Sequence, residues 1–67
     1  METVKITVKY ALKLNNKEYN FVLINNKIVA KYLNWTDALE EAAKIQYYLN
    51  LSSIKNTLTA KNIIRKD

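Results

Sequence analysis

No cysteine, histidine, glycine or proline occurs among the 67 residues of this chain. Without cysteine there is no disulfide framework and no thiolate metal site. Without histidine the commonest general base near neutral pH and the commonest zinc ligand are both missing. Ser52 and Ser53 therefore have no imidazole to activate them, and a chain with no glycine has no glycine-rich phosphate loop. Arginine occurs once, at Arg65. The acids number six, and the adjacent Glu40 and Glu41 diverge on a helix, which makes them a poor catalytic pair. No stretch approaches the ~20 apolar residues of a membrane span. Lys5 and Lys9 interrupt any apolar run near the N-terminus, so no signal peptide is expected. These absences lead to the expectation of a non-enzymatic cytoplasmic protein with no catalytic residues, no metal and no cofactor.

What is present reads as one small domain, residues 1–67. Hydrophobic residues make up 49% of the chain, enough for a globular fold. A core of this size is only marginally sufficient, which favours a partner chain or homo-oligomer. Two Asn-Asn pairs punctuate residues 3–33. Asparagine tolerates the left-handed conformation of two-residue hairpin turns, so Asn15-Asn16 and Asn25-Asn26 can replace glycine there. Zipping outward from the first turn sets Leu14 against Lys17, Lys13 against Glu18, Leu12 against Tyr19, Tyr10 against Phe21 and Val8 against Leu23. The second turn sets Leu23 against Ile28, Phe21 against Ala30 and Tyr19 against Tyr32. This register predicts one inner face of Val4, Ile6, Val8, Tyr10, Leu12, Leu14, Tyr19, Phe21, Leu23, Ile28, Ala30 and Tyr32. The outer face then holds Thr3, Lys5, Thr7, Lys9, Ala11, Lys13, Asn20, Val22, Ile24, Lys27, Val29 and Lys31.

After Leu33 the period changes. Asn34 or Thr36 can cap a helix, and Asp37 stands three residues after Asn34, as in a capping box. Trp35, Ala38, Leu39, Ala42, Ile45 and Leu49 form one apolar stripe at helical spacing, a cover for the inner sheet face. Gln46 falls near the centre of that stripe and requires a hydrogen-bond partner. Ser52-Ser53 ends the helix. In Thr57–Arg65, Leu58, Ala60 and Ile64 alternate with threonine and basic residues, which favours a strand returning along the first strand by a crossover. A frayed tail is the competing reading. The expected class is α+β: a three-stranded antiparallel meander (3–33) packed on one helix (35–50), β-β-β-α, followed by a C-terminal strand or tail (52–67).

Charge is sorted along this plan. The net charge is +5. Residues 34–51 hold three acids and one lysine, whereas 1–33 hold six lysines and two acids. Five of those lysines project from the expected outer face. A solvated surface normally mixes both signs, although an ordinary solvated face is still the competing interpretation. A short twisted sheet can enter a DNA major groove, with lysines reaching phosphates and polar side chains reaching base edges. The candidate double-stranded DNA contacts are Lys5, Thr7, Lys9, Lys13, Asn20, Lys27, Val29 and Lys31.

Three antiparallel strands with one helix across their back resemble the AP2-type DNA-binding domain and the arm-site-binding N-terminal domain of tyrosine-family integrases. The likest segments are Ile28-Val29-Ala30-Lys31-Tyr32-Leu33 and Trp35-Thr36-Asp37-Ala38-Leu39-Glu40-Glu41-Ala42-Ala43. The resemblance implies a sheet face docked in the major groove. It implies no base preference, because the arginine-rich strands and glycines of those families are absent. A different class is also open. The Asn-, Lys- and Ile-rich composition fits an AT-rich genome, such as that of a virus or mobile element, where small chains act as inhibitors or ligand-sequestering oligomers. For that class the partner-binding residues are Val22, Ile24, Tyr47, Tyr48 and Leu51, facing an acidic protein, an anionic ligand or a second copy.

Overall fold

Asn25 and Asn26 both take positive φ, 51° and 70°, the backbone signature of a two-residue hairpin turn that most side chains resist. Asn25 also extends the ladder beyond its strand. Its N–H donates to the Lys5 carbonyl at 2.8 Å, and its Oδ1 accepts from the Lys5 N–H at 3.0 Å. The structure, a computed structural model, describes residues 3–14 and 17–62, with side chains at all of these except 11–14 and 62. The Asn15-Asn16 turn therefore lies outside the described residues.

The chain runs β1 (Val4–Leu14), β2 (Lys17–Ile24), β3 (Lys27–Tyr32), α1 (Trp35–Leu51) and β4 (Asn56–Asn62). The four strands form one mixed sheet in the order β3-β2-β1-β4. The β1–β2 and β2–β3 pairs are antiparallel, and β4 lies parallel to β1. Strands β3 and β4 thus run the same way, and α1 is the crossover that joins them. The expected α+β class stands, and the C-terminal segment is a strand as far as Asn62. Residues 63–67, including the expected strand end at Arg65, lie outside the described residues.

Each turn predicts its own neighbourhood correctly, and each prediction fails past a β-bulge. Leu14, Lys13 and Leu12 pair with Lys17, Glu18 and Tyr19 as expected. Two residues of β1, Tyr10 and Ala11, then oppose Asn20 alone. Beyond them Lys9 meets Phe21, Val8 meets Val22, Thr7 meets Leu23 and Ile6 meets Ile24. In the second hairpin Leu23 meets Ile28 as expected, but Val29 is the extra residue of a second bulge. Val22 then meets Ala30, Phe21 meets Lys31 and Asn20 meets Tyr32. One added residue exchanges the faces of everything beyond it.

The consequence is a corrected core. Ile6, Val8, Val22, Ala38 and Ala42 are fully buried together, with Val4, Ala30, Tyr32, Trp35, Ile45, Leu49 and Leu58 packed against them. Burying side chains of this size contributes about 1.5–3 kcal/mol each for Ile6, Val8 and Val22. Val22, expected outside, is at the centre of this core, and Ile24 is half-buried at a helix-side register position. Tyr19, Phe21 and Leu23, expected inside, occupy the opposite face. Ile28 is there too, and is 62% exposed. Ala38 and Ala42 are fully buried where the helix meets the sheet, and Tyr10 packs against Trp35 with ring centroids 4.1 Å apart and planes inclined by 53°.

The helix begins at Asn34, whose extended backbone (φ −108°, ψ 134°) and carbonyl start the first turn. The capping box does not form. The Asn34 amide donates to the Asp37 carboxylate at 3.3 Å instead of its oxygen accepting a backbone N–H. Leu39, expected in the stripe, sits at its exposed margin. Gln46 finds its partner: Nε2 donates to Asn56 Oδ1 at 3.1 Å. Asn56 Nδ2 in turn donates to Asn50 Oδ1 at 2.8 Å and to the Ile54 carbonyl at 2.9 Å. This chain of amides fastens the end of the helix to the start of β4. The helix closes in a Schellman arrangement, with Ile54 N–H on the Leu49 carbonyl and Ser53 N–H on the Asn50 carbonyl. Ser53 occupies the left-handed position, φ 57°, that glycine usually fills.

Candidate nucleic-acid interface

The register places side chains on the outer face in cross-strand rows. Reading from β4 to β1, Thr57 stands beside Lys5, Thr59 beside Thr7 and Lys61 beside Lys9. The rows continue across β2 and β3: Thr7 beside Leu23 and Ile28, Lys9 beside Phe21 and Lys31. One row therefore crosses the whole sheet as Lys61, Lys9, Phe21 and Lys31, three ammonium groups and one ring. Lys5, Lys31, Lys61, Thr57 and Thr59 are exposed, and Lys9 and Thr7 are half-buried. Phe21 is 7% exposed and Leu23 5%, although neither belongs to the helix-side core. Lysine stems can lie along such apolar surface while their heads stay in water. Lys31 Nζ sits 4.8 Å from the centre of the Tyr19 ring, a cation–π contact, and Tyr19 lies 6.4 Å from the Phe21 ring.

No carboxylate shares this face among the described residues. Glu18 alternates with Tyr19 and so takes a helix-side position opposite Lys13. Asp37, Glu40 and Glu41 belong to the helix layer. Glu41 and Asp37 act on Tyr32. Its phenol is pushed above the ordinary tyrosine range, first by desolvation, then by the charge and hydrogen bond of Glu41, then by Asp37. Like charges directly across a ladder destabilise a sheet. Lys9 opposite Lys61 is such a pair, and an anion bound between them would relieve it.

The structure sorts the candidate residues. It keeps Lys5, Thr7, Lys9 and Lys31 together on the outer face. Lys27 is exposed at the start of β3, paired with Ile24, so its register position belongs to the helix side. Val29 is 52% exposed at its bulge. Lys13 pairs with Glu18 in the backbone register, and its side chain lies outside the described residues. Asn20 is corrected: it is 5% exposed and donates from Nδ2 to the Tyr32 carbonyl at 3.4 Å, so it cannot reach a base edge. Val22 is also withdrawn from the surface, and Ile24 is half-buried on the helix side. Tyr47, Tyr48 and Leu51 are more than half exposed on the helix.

Thr57, Thr59 and Lys61 were not among the expected contacts, nor were Tyr19 and Phe21. The alternation of β4 was readable, but only a parallel register against β1 aligns its polar residues with Lys5, Thr7 and Lys9. Among the described residues no group of three acids forms a metal cluster, and no helix is long and apolar enough to cross a membrane. No family model, curated protein or solved structure matches the chain. The functional reading therefore rests on this surface alone.

Proposed function

We propose that the protein binds DNA through the outer face of its sheet. The observation that carries this reading is the gathering of Lys5, Lys9, Lys31 and Lys61 on a face without a described carboxylate. Such a surface attracts polyanions and releases counterions when it meets phosphates. With Asn20 turned inward, Thr7 and Val29 are the expected non-lysine contacts that stay at the surface. What is left is phosphate-directed contact with little base preference.

Binding to a generic DNA fragment, followed by fluorescence anisotropy between 50 and 200 mM salt, tests the reading. Affinity should fall steeply with salt. Replacing Lys9 and Lys31 together with alanine should flatten the logarithmic salt slope by about 2, roughly one unit per lost phosphate contact. An affinity indifferent to salt and to the double substitution would reject it. A second reading rests on Tyr47, Tyr48 and Leu51, whose exposure on the helix suits a protein partner or second copy. It predicts oligomers in solution and a partner lost on Tyr47→Ala, with little response to salt.

A further inference from the structure

Resting on the nucleic-acid reading, we infer that this face takes a single strand, laid lengthwise along the sheet, in preference to a duplex. The face is divided along its length into two tracks. The β1–β4 half carries Lys5, Thr7 and Lys9 beside Thr57, Thr59 and Lys61, all polar or cationic. The β2–β3 half carries Tyr19, Phe21, Leu23 and Ile28, with Lys17 at the start of β2 and Lys31 as its cations. Side chains on one face of a strand recur about every 6.6 Å, two residues of rise. That is close to the span of one sugar-phosphate unit in an extended polynucleotide. A backbone running along β1 and β4 would meet a hydroxyl or ammonium group at each step, and its bases would fall on the apolar track.

A duplex fits this division poorly. It offers two phosphate rows flanking a groove about 12 Å wide. A sheet entering that groove needs cations on both flanks and polar groups between them. Here Lys5, Lys9 and Lys61 lie on one flank and Lys17 and Lys31 on the other, but the centre is a ring and two aliphatic side chains, and the Asn20 amide points away. Exposed bases of a single strand, by contrast, pack on aromatic and apolar surface whatever their sequence. Phe21 and Leu23 are too buried to stack and serve as a floor. Tyr19 is half-buried at one end of the track, and Ile28 stands open at the other. The ammonium of Lys31 lies over the Tyr19 ring, and a base stacking there would displace it.

The test compares a twelve-nucleotide oligodeoxyuridylate, an oligouridylate of equal length and a DNA duplex of equal length, each by fluorescence anisotropy with the full chain. One or both single strands should bind about tenfold more tightly than the duplex at the same salt, and whichever binds better names the sugar. Tyr19→Ala should weaken single-strand binding about tenfold and leave duplex binding unchanged, and Tyr19→Phe should retain it. Lys61→Gln should weaken both and flatten the salt slope by about 0.7 on the single strand. Trp35 fluorescence, from the helix side, verifies that each variant is folded. Equal or tighter duplex binding, or no effect of Tyr19→Ala in a folded variant, overturns the single-strand inference while leaving the DNA-binding proposal standing. Failure of all three probes to bind removes both.

Discussion

The two faces of this sheet are built by the same strands and hold opposite chemistry. Toward the helix stand Ile6, Val8 and Val22, fully buried against Ala38 and Ala42. One residue along in each strand, Thr7, Lys9 and Phe21 face the other way, among lysines and without a covering helix. The dry face is specified by size, since the helix closes on it through alanine. The wet face is specified by charge and by a narrow apolar column of Tyr19, Phe21, Leu23 and Ile28. Stability belongs mainly to the first face and binding to the second, so substitutions one residue apart should have unlike consequences.

The largest expected contrast is between Ile6 and Thr7. Ile6→Ala leaves a cavity under the helix and should cost about 2–5 kcal/mol, a large share of what so small a domain has. Thr7→Ala should stay within about 0.5 kcal/mol. Urea unfolding of both variants reads the difference directly in the midpoint. Equal losses at the two positions would mean that the outer face is also packed against something, and the division of labour would fail.

A smaller contrast lies at the start of β4. Asn56 links Gln46, Asn50 and the Ile54 carbonyl on the helix side, and its neighbour Thr57 is exposed on the other face. Asn56→Ala should cost about 1–3 kcal/mol, because it leaves the half-buried Gln46 amide without its acceptor. Thr57→Ala should be near neutral. Adding Gln46→Leu to Asn56→Ala should recover part of the loss, because no polar group is then left stranded. A strictly additive double variant would show that the amide chain does not act as a unit.

The same comparison explains how far the sequence could be read. In β1, Val4, Ile6 and Val8 alternate cleanly with Lys5, Thr7 and Lys9, and their face was legible. In β2 the run Phe21-Val22-Leu23-Ile24 is apolar at every position, so alternation cannot choose its inner side. The choice fell to the turns, and counting from a turn holds only as far as the first bulge. Bulges are often marked by glycine, and this chain has none. Tyr10-Ala11 and Val29 therefore gave no warning, and Asn20 and Val22 were assigned to the wrong face. The helix, its cover of the sheet and the need for a partner at Gln46 came through because each rests on local spacing. The parallel register of β4, which brings Thr57, Thr59 and Lys61 beside the lysines of β1, is a long-range fact that local spacing does not carry.

The smallest effects expected concern the two kinds of left-handed residue, one in each layer. Ser53 holds φ 57° at the end of the helix, and its backbone N–H is satisfied by the Asn50 carbonyl. A side chain in that region costs about 1–2 kcal/mol, which glycine avoids while losing some of the gain to its freer unfolded chain. Ser53→Gly should therefore stabilise by about 0.5 kcal/mol. Asn25, at φ 51°, is in the same region, but its Oδ1 accepts from the Lys5 N–H at 3.0 Å. Asn25→Gly gains little conformationally, because asparagine tolerates the region, and it removes that bond, worth about 0.5–1.5 kcal/mol. The same substitution should thus raise the melting temperature at one turn and lower it at the other. If both rise, the Asn25 side chain contributes nothing beyond its backbone angle, and the β2–β3 turn is held by conformation alone.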